Sequence, residues 1–197
     1  MRVLYSSPEK DAGTARYAVA PRLPVRLKLL DPDGTVHRIP ISPDAPDAIT
    51  IIGALQFVIE QFGRNPQVRA AAVAILYSRV NNDVRRNANT LYSWVISKMV
   101  YLADPDGAEY IQTPLVLLNV IKSKGFAYGD CDDHVVLLGS MLTSIGIPTR
   151  AVAVKLGNSQ HYNHVVVEYS LNGEWILMDP CAKDGPVPQY RDRLVVG

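Results

Sequence analysis

Asn172-Gly173, set between the β-rich runs "HVVVEYSL" and "EWILMD", constrains this chain more than any other feature. A two-residue type I′ turn needs positive φ at both central positions, which Asn and Gly accept at little cost, so the pair predicts a tight hairpin. Leu171 then opposes Glu174, and paired residue numbers sum to 345. In that register Asp179 opposes Val166. His164, two residues before Val166 on the same face, becomes the diagonal neighbour of Asp179. Diagonal neighbours lie roughly 7–8 Å apart at the backbone, within side-chain reach. A slip of one residue would put the two on opposite faces. The turn therefore predicts a His164–Asp179 pair, with His161 as a rival three positions earlier.

A second feature lies upstream. In "GDCDDHVVLLGSMLTSIGIP" (129–148), Val135, Leu138, Leu142 and Ile145 recur with helical spacing as one apolar stripe, and Gly146 and Pro148 end it. Working back, Asp130 suits the N-cap and Asp133 the N3 position of a carboxylate capping box. Cys131 then occupies N1, where orphan N–H groups and the positive helix end favour a thiolate. Asp132 and Asp133 oppose that effect, and a nearby cation would tip the balance. Free cysteine is also among the most buried residue types, so a small packing residue under a capped helix is the competing interpretation.

Taken together, a helix-start Cys, a strand-start His and a strand-end Asp are the parts of a nucleophile, base and orienting acid. From about residue 88 to 181 the chain resembles the transglutaminase-like superfamily of papain-like cysteine enzymes. The likeness rests on "GDCDDHVVLLGSMLTSIGIPTRAVAV", "HVVVEY" and "EWILMDP", with His164 33 residues after Cys131 and Asp179 15 further on. It implies an α+β fold, with the nucleophile at a helix N-terminus packed on an antiparallel sheet that carries His and Asp. It assigns Cys131 as nucleophile, His164 as base and Asp179 as orienting acid, with no cofactor and no metal. The variant "ADPDG-E-YIQTP … GDCDDH" also resembles members found in bacteriophages and prophages. The resemblance implies that the Cys131 N–H forms half an oxyanion hole; Gln112 and Trp94 are candidates for the second donor or for substrate contact, and Asp130 and Asp132 flank the expected nucleophile.

Around this motif, residues 1–45 are expected to form a loose arm (1–22) and a β-hairpin around "DPDG" (25–41), ahead of a catalytic domain at 46–197. Helical patterns cover "ITIIGALQFVIEQFG" (49–63), "PQVRAAAVAILYSRV" (66–80) and "ANTLYSWVISKMVYLA" (88–103). Residues 108–128 are irregular with a short helix near "PLVLLNVI", and strands follow near 149–156, 164–171 and 174–179. A net charge of +1 gives no basic excess for nucleic acid. The longest apolar run, 70–76, is far below the ~18 residues of a membrane helix. Two cysteines and no apolar leader suggest a reducing cytoplasmic setting, or a virion if the chain is phage-encoded.

The expected activity is acyl transfer or hydrolysis on a peptide or amide through a thioester on Cys131. The alternative is a structural or assembly protein that kept the fold and lost catalysis. A zinc site across Asp130–His134 is disfavoured, because contiguous residues on one helical turn fan out. Between residues 101 and 134 acidic residues outnumber basic ones. If "DPDGAEYIQTP" covers the helix start, a basic peptide, protein or amine is the expected partner. Extended by two residues, the hairpin register sets Cys181 opposite His164, within reach of a reversible disulfide with Cys131.

Overall fold

The helix after Cys131 needs only one buried stripe on its sequence pattern. The computed structural model, which describes residues 16–18, 27–30, 36–39, 47–76, 83–104, 110–182 and 190–196, buries it on every side. Along the chain, β1 (Arg16–Ala18), β2 (Leu27–Leu30) and β3 (Val36–Ile39) precede helices α1 (Asp47–Gly63), α2 (Pro66–Leu76) and α3 (Val84–Lys98). Next come β4 (Met99–Tyr101), β5 (Tyr110–Gln112), α4 (Pro114–Lys124) and β6 (Ala127–Gly129), which lead into α5 (Cys131–Ser144). The strands β7 (Thr149–Leu156), β8 (His164–Leu171), β9 (Glu174–Met178) and β10 (Tyr190–Val196) complete the order. The class is α+β, as expected.

Helices α1 to α4 pack around α5 on one side, and β7 and β8 close the other. Asp132 through Leu142 are all buried, so the pattern's polar positions are enclosed along with its stripe. Gly139 lets α1 come close: a Cβ there would lie 2.7 Å from Ile59 Cδ1. Burial of Val135, Leu138, Met141 and Leu142 in this core stabilises the fold by ~2 kcal/mol each.

The main sheet runs β1-β10-β7-β8-β9. Its β8–β9 hairpin has the predicted register, from Leu171↔Glu174 to Val167↔Met178. Asn172 and Gly173 sit at φ 54° and 85°, as a type I′ turn requires. Both faces of this sheet are covered. Ala151, Ala153, Val165 and Val167 join the helical core, and Val152, Val154, Val166, Leu177 and Val195 form a second cluster on the far face. This is why "RAVAV" and "HVVVEY" read as apolar runs rather than alternating ones. Glu168, fully buried, is held by Arg150 Nε at 2.8 Å and by Arg193, so one carboxylate ties β8 to β7 and β10. Arg150 also lies 4.1 Å over the Trp175 ring.

Three expectations need correction. The helix expected over 88–103 starts earlier, at an Asp83 cap that accepts Arg86 N–H, and stops at Lys98. Met99 takes extended dihedrals, and Met99–Tyr101 pairs in parallel with Ala127–Gly129, a contact that helical periodicity cannot foresee. The stretch 108–128, expected to be irregular apart from a short helix near "PLVLLNVI", holds that helix as α4 and adds the strands β5 and β6. Thr113 caps α4, Pro114 fills its first turn, and Gly125 closes it at φ 87°. The arm is not wholly loose, because Arg16–Ala18 pairs in parallel with β10. The hairpin at 25–41 is present as Leu27↔Ile39 through Leu30↔Val36, and β2 also pairs with β5. Its "DPDG" turn, residues 77–80 of the second helix and the rest of the arm lie outside the described residues.

Candidate active site

Cys131 takes its position from the helix cap. Asp130 has extended dihedrals (φ −91°, ψ −161°), and its Oδ1 accepts the Asp132 N–H at 3.1 Å. This makes Asp130 the N-cap and Cys131 the first helical residue, as expected. The expected capping box does not form. Asp133 turns towards β5 instead, accepting Gln112 N–H and Gln112 Nε2, each at 2.7 Å. The glycine of "GDC" makes room for this: a Cβ on Gly129 would lie 2.5 Å from Asp133 Cβ. Burial pushes the Asp133 carboxyl up to about 8, against the two hydrogen bonds from Gln112.

Cys131 and His164 line one cleft of about 280 Å³, together with Tyr101, Asp130, Asp132 and Tyr162. The hairpin delivers the second half of the site: His164 Nε2 lies 3.0 Å from Asp179 Oδ2. Asp179 is 3 % exposed and also accepts Tyr190 Oη–H at 2.8 Å and the Cys181 N–H at 2.9 Å. Burial works against its ionisation, but the His164 hydrogen bond and charge, the Cys181 N–H and the Tyr190 hydroxyl together hold it below the usual carboxylate range. An ionised Asp179 makes Nε2 the protonated nitrogen of His164, leaving Nδ1 as the basic atom. Tyr92 Oη–H donates to the Asp179 carbonyl at 2.9 Å and ties this turn to α3. Burial, followed by the negative charge of Asp179, raises both phenols well above their ordinary range.

The thiol is held protonated. Burial raises it most, followed by Asp132, Asp130 and Cys181, while a hydrogen bond with the Val165 backbone works the other way. Cys131 Sγ–H points at Asp132 Oδ1, 3.7 Å away. A helix start favours a thiolate, but here the cap and the next residue each bring a carboxylate to it. Asp133, named from the sequence as an opposing charge, has turned away, and Asp130 takes that role.

Neither proposed second oxyanion donor reaches the cleft. The Gln112 amide donates to Tyr128 O and Asp133. Trp94 lines a separate apolar groove with Ile75, Leu115 and Leu118, between α2, α3 and α4. His161 is exposed and lies outside the cleft. Tyr101, missed because it falls within the expected third helix, is half-exposed; burial and then Cys131 push its phenol up to about 12. Tyr190 and Tyr92 were also missed, because nothing in the local sequence links them to Asp179.

Among the described residues, two groups gather possible metal ligands. The ligand atoms of Asp130, Cys131 and Asp132 lie within 4.8 Å of one another, but the run Asp130–His134 does not converge as a whole. Asp133 and His134 do not join it: Asp133 binds Gln112, and His134 Nδ1 meets Asp130 O at 2.6 Å. The other group is His164, Asp179 and Cys181.

The sequence matches the transglutaminase-like superfamily over residues 71–180, more than half of the chain. This chain belongs to that superfamily. Cys131, His164 and Asp179 all fall within the matched span. A comparison with curated proteins finds no match. Among solved structures, the fold is similar to a "Putative Cysteine Protease" from Cytophaga hutchinsonii, with a TM-score of 0.50 and 13 % identity over 76 % of this chain and 50 % of that one. A "Putative Protease" from Parabacteroides distasonis ATCC 8503 aligns with a TM-score of 0.46 and 16 % identity, over 84 % of this chain and 31 % of that one. The chain thus spans half the length of the first and less than a third of the second. Superfamily membership and a shared Cys–His cleft support cysteine-based catalysis.

Proposed function

We propose that the chain is a cysteine-dependent amide hydrolase, attacking a peptide carbonyl through Cys131 with His164 as base and Asp179 as its orienting acid. The observation that carries this reading is the His164 Nε2–Asp179 Oδ2 contact of 3.0 Å at the edge of the cleft that also holds Cys131. With Nε2 engaged, Nδ1 of His164 takes the thiol proton as Sγ bonds to the carbonyl carbon. The proton passes to the leaving amine as the C–N bond breaks. Water then attacks the thioester with His164 again as base, releasing the acid and restoring the thiol.

The cleft also supports a choice of substrate. Its lining includes Asp130 and Asp132 and no Lys or Arg among the described residues. A Lys or Arg side chain near the reacting amide would offset the two carboxylates that hold the thiol protonated, coupling basic substrates to activation. The test is turnover of matched basic and acidic peptides at low and high salt, read by mass spectrometry, in wild type and Cys131→Ala. We expect the basic peptide to be cleaved faster, an advantage that shrinks with salt, and a loss of ~10³-fold or more in Cys131→Ala. Equal turnover in Cys131→Ala overturns the nucleophile; preference for the acidic peptide overturns the substrate class.

A further inference from the structure

We propose that His164, Asp179 and Cys181 form a binding site for a thiophilic divalent cation of the zinc class, and that filling it switches the site off. The switching half rests on the functional reading above; the binding half does not. One nitrogen, one carboxylate oxygen and one sulfur from these residues lie within 4.8 Å of one another. In a tetrahedral zinc site, bonds of ~2.0–2.3 Å place neighbouring ligand atoms roughly 3.3–3.8 Å apart. His164 Nε2 and Asp179 Oδ2, at 3.0 Å, are already close to that spacing. Cys181 sits in the turn after β9 and is half-buried, its sulfur within 4.8 Å of a ligand atom of each of the other two.

The surroundings resemble the outer shell of a metal site. Tyr190 Oη–H and the Cys181 N–H already orient the Asp179 carboxylate, as hydrogen bonds behind metal ligands do. The charge is favourable as well, because Asp130 and Asp132 line the adjoining cleft and no Lys or Arg among the described residues does. Imidazole with thiolate is a donor set suited to zinc, while magnesium and calcium prefer all-oxygen sites. Binding releases the Cys181 thiol proton and moves the His164 proton from Nε2 to Nδ1, the atom that would otherwise take the thiol proton. The cation then occupies the atom through which Asp179 orients the base, and an imidazole bound to a metal is a poor proton acceptor. Neither Cys131 nor Cys181 is in a disulfide.

Cobalt(II) titration of the reduced full chain reads binding without any substrate. We expect one equivalent to bind with tetrahedral d–d bands and a sulfur-to-cobalt charge-transfer band, both displaced by zinc. The charge-transfer band should persist in Cys131→Ser and vanish in Cys181→Ser and Cys181→Ala, with circular dichroism confirming that the variants are folded. A band that follows Cys131 places the ion on the Asp130–Asp132 group and overturns the proposal, as does the absence of any charge-transfer band in the wild type. In turnover, zinc should inhibit the wild type reversibly, with chelator restoring the rate, and inhibition should need at least tenfold more zinc in Cys181→Ser. Equal sensitivity of the two overturns the switch. A chain with no peptidase activity at all would refute the functional reading and still leave the cobalt result to decide the site.

Discussion

Replacing Asp132 with Asn should make Cys131 more reactive, the reverse of what losing an active-site carboxylate usually does. Asp132 is the largest charged contribution holding the thiol protonated, and its Oδ1 lies 3.7 Å from Sγ. At that distance a unit charge acts on a thiolate with ~1 kcal/mol in a water-like medium and ~4 kcal/mol at an effective dielectric of 20. Asp132 is buried, so the larger figure is the nearer one. The thiol should therefore fall by about 1 to 3 pKa units. Each unit gives ~10-fold more thiolate but a less nucleophilic one, a net gain of ~3-fold in rate. Iodoacetamide alkylation of Cys131 at pH 7 should accelerate by about 3- to 30-fold in Asp132→Asn. Peptide mapping by mass spectrometry reads the rate, with Cys181 as internal reference, and the inflection of the pH–rate profile should move down. An unchanged or slower Cys131 in a variant that is still folded refutes the claim that Asp132 masks the nucleophile.

Two further outcomes follow from Asp133. Gly129→Ala sets a Cβ against the Asp133 side chain and should cost about 1–3 kcal/mol of stability by denaturant unfolding; a neutral result would show that Asp133 can swing aside. Asp133 has a folded-state value of about 8 against 3.8 for a free carboxyl, so the native state binds the extra proton between these limits. Its contribution to stability is therefore complete below pH ~4 and lost as pH rises towards 8, with a slope of up to ~1.4 kcal/mol per pH unit. Asp133→Asn should flatten that slope relative to wild type across pH 4–8, and parallel profiles would show that Asp133 does not titrate there.

The parts of the fold written in local chemistry were open to the sequence. Asn172-Gly173 set the β8–β9 register residue for residue, because positive φ at two adjacent positions leaves the chain few alternatives. The caps at Asp130 and Gly146 bracketed α5 for the same kind of reason. Pairings between distant segments were not open. Met99–Tyr101 continues a helical pattern and leaves it only because β6 offers a parallel edge. The α4 helix, expected as a short helix near "PLVLLNVI", carried its own punctuation, Thr113-Pro114 at the start and Gly125 at the end. Strand β10 was not foreseen, and its role in fastening Asp179 through Tyr190 came unannounced as well.

Within the site, one hexapeptide shows where sequence reasoning stops. "GDCDDH" places three chemically identical carboxylates around a thiol, and each meets a different fate. Asp130 caps the helix, Asp132 faces Sγ, and Asp133 leaves the cleft for Gln112. Successive residues on a helix turn by ~100°, so each carboxylate meets a different neighbour, and the partner of Asp133, Gln112, comes from a segment 21 residues away. Position on the turn was readable; the partner at the end of each side chain was not. This is why charge counting named Asp133 as an opponent of the thiolate when its carboxyl had already turned to β5. It also explains why helix geometry alone overstated the acidity of Cys131. A helix N-terminus acts as ~0.5 of a positive charge spread over its first turn, and two carboxylates nearby outweigh it. On the proposed mechanism, the charge that releases the thiol comes from outside that turn, from His164 on the hairpin or from a cation on the substrate.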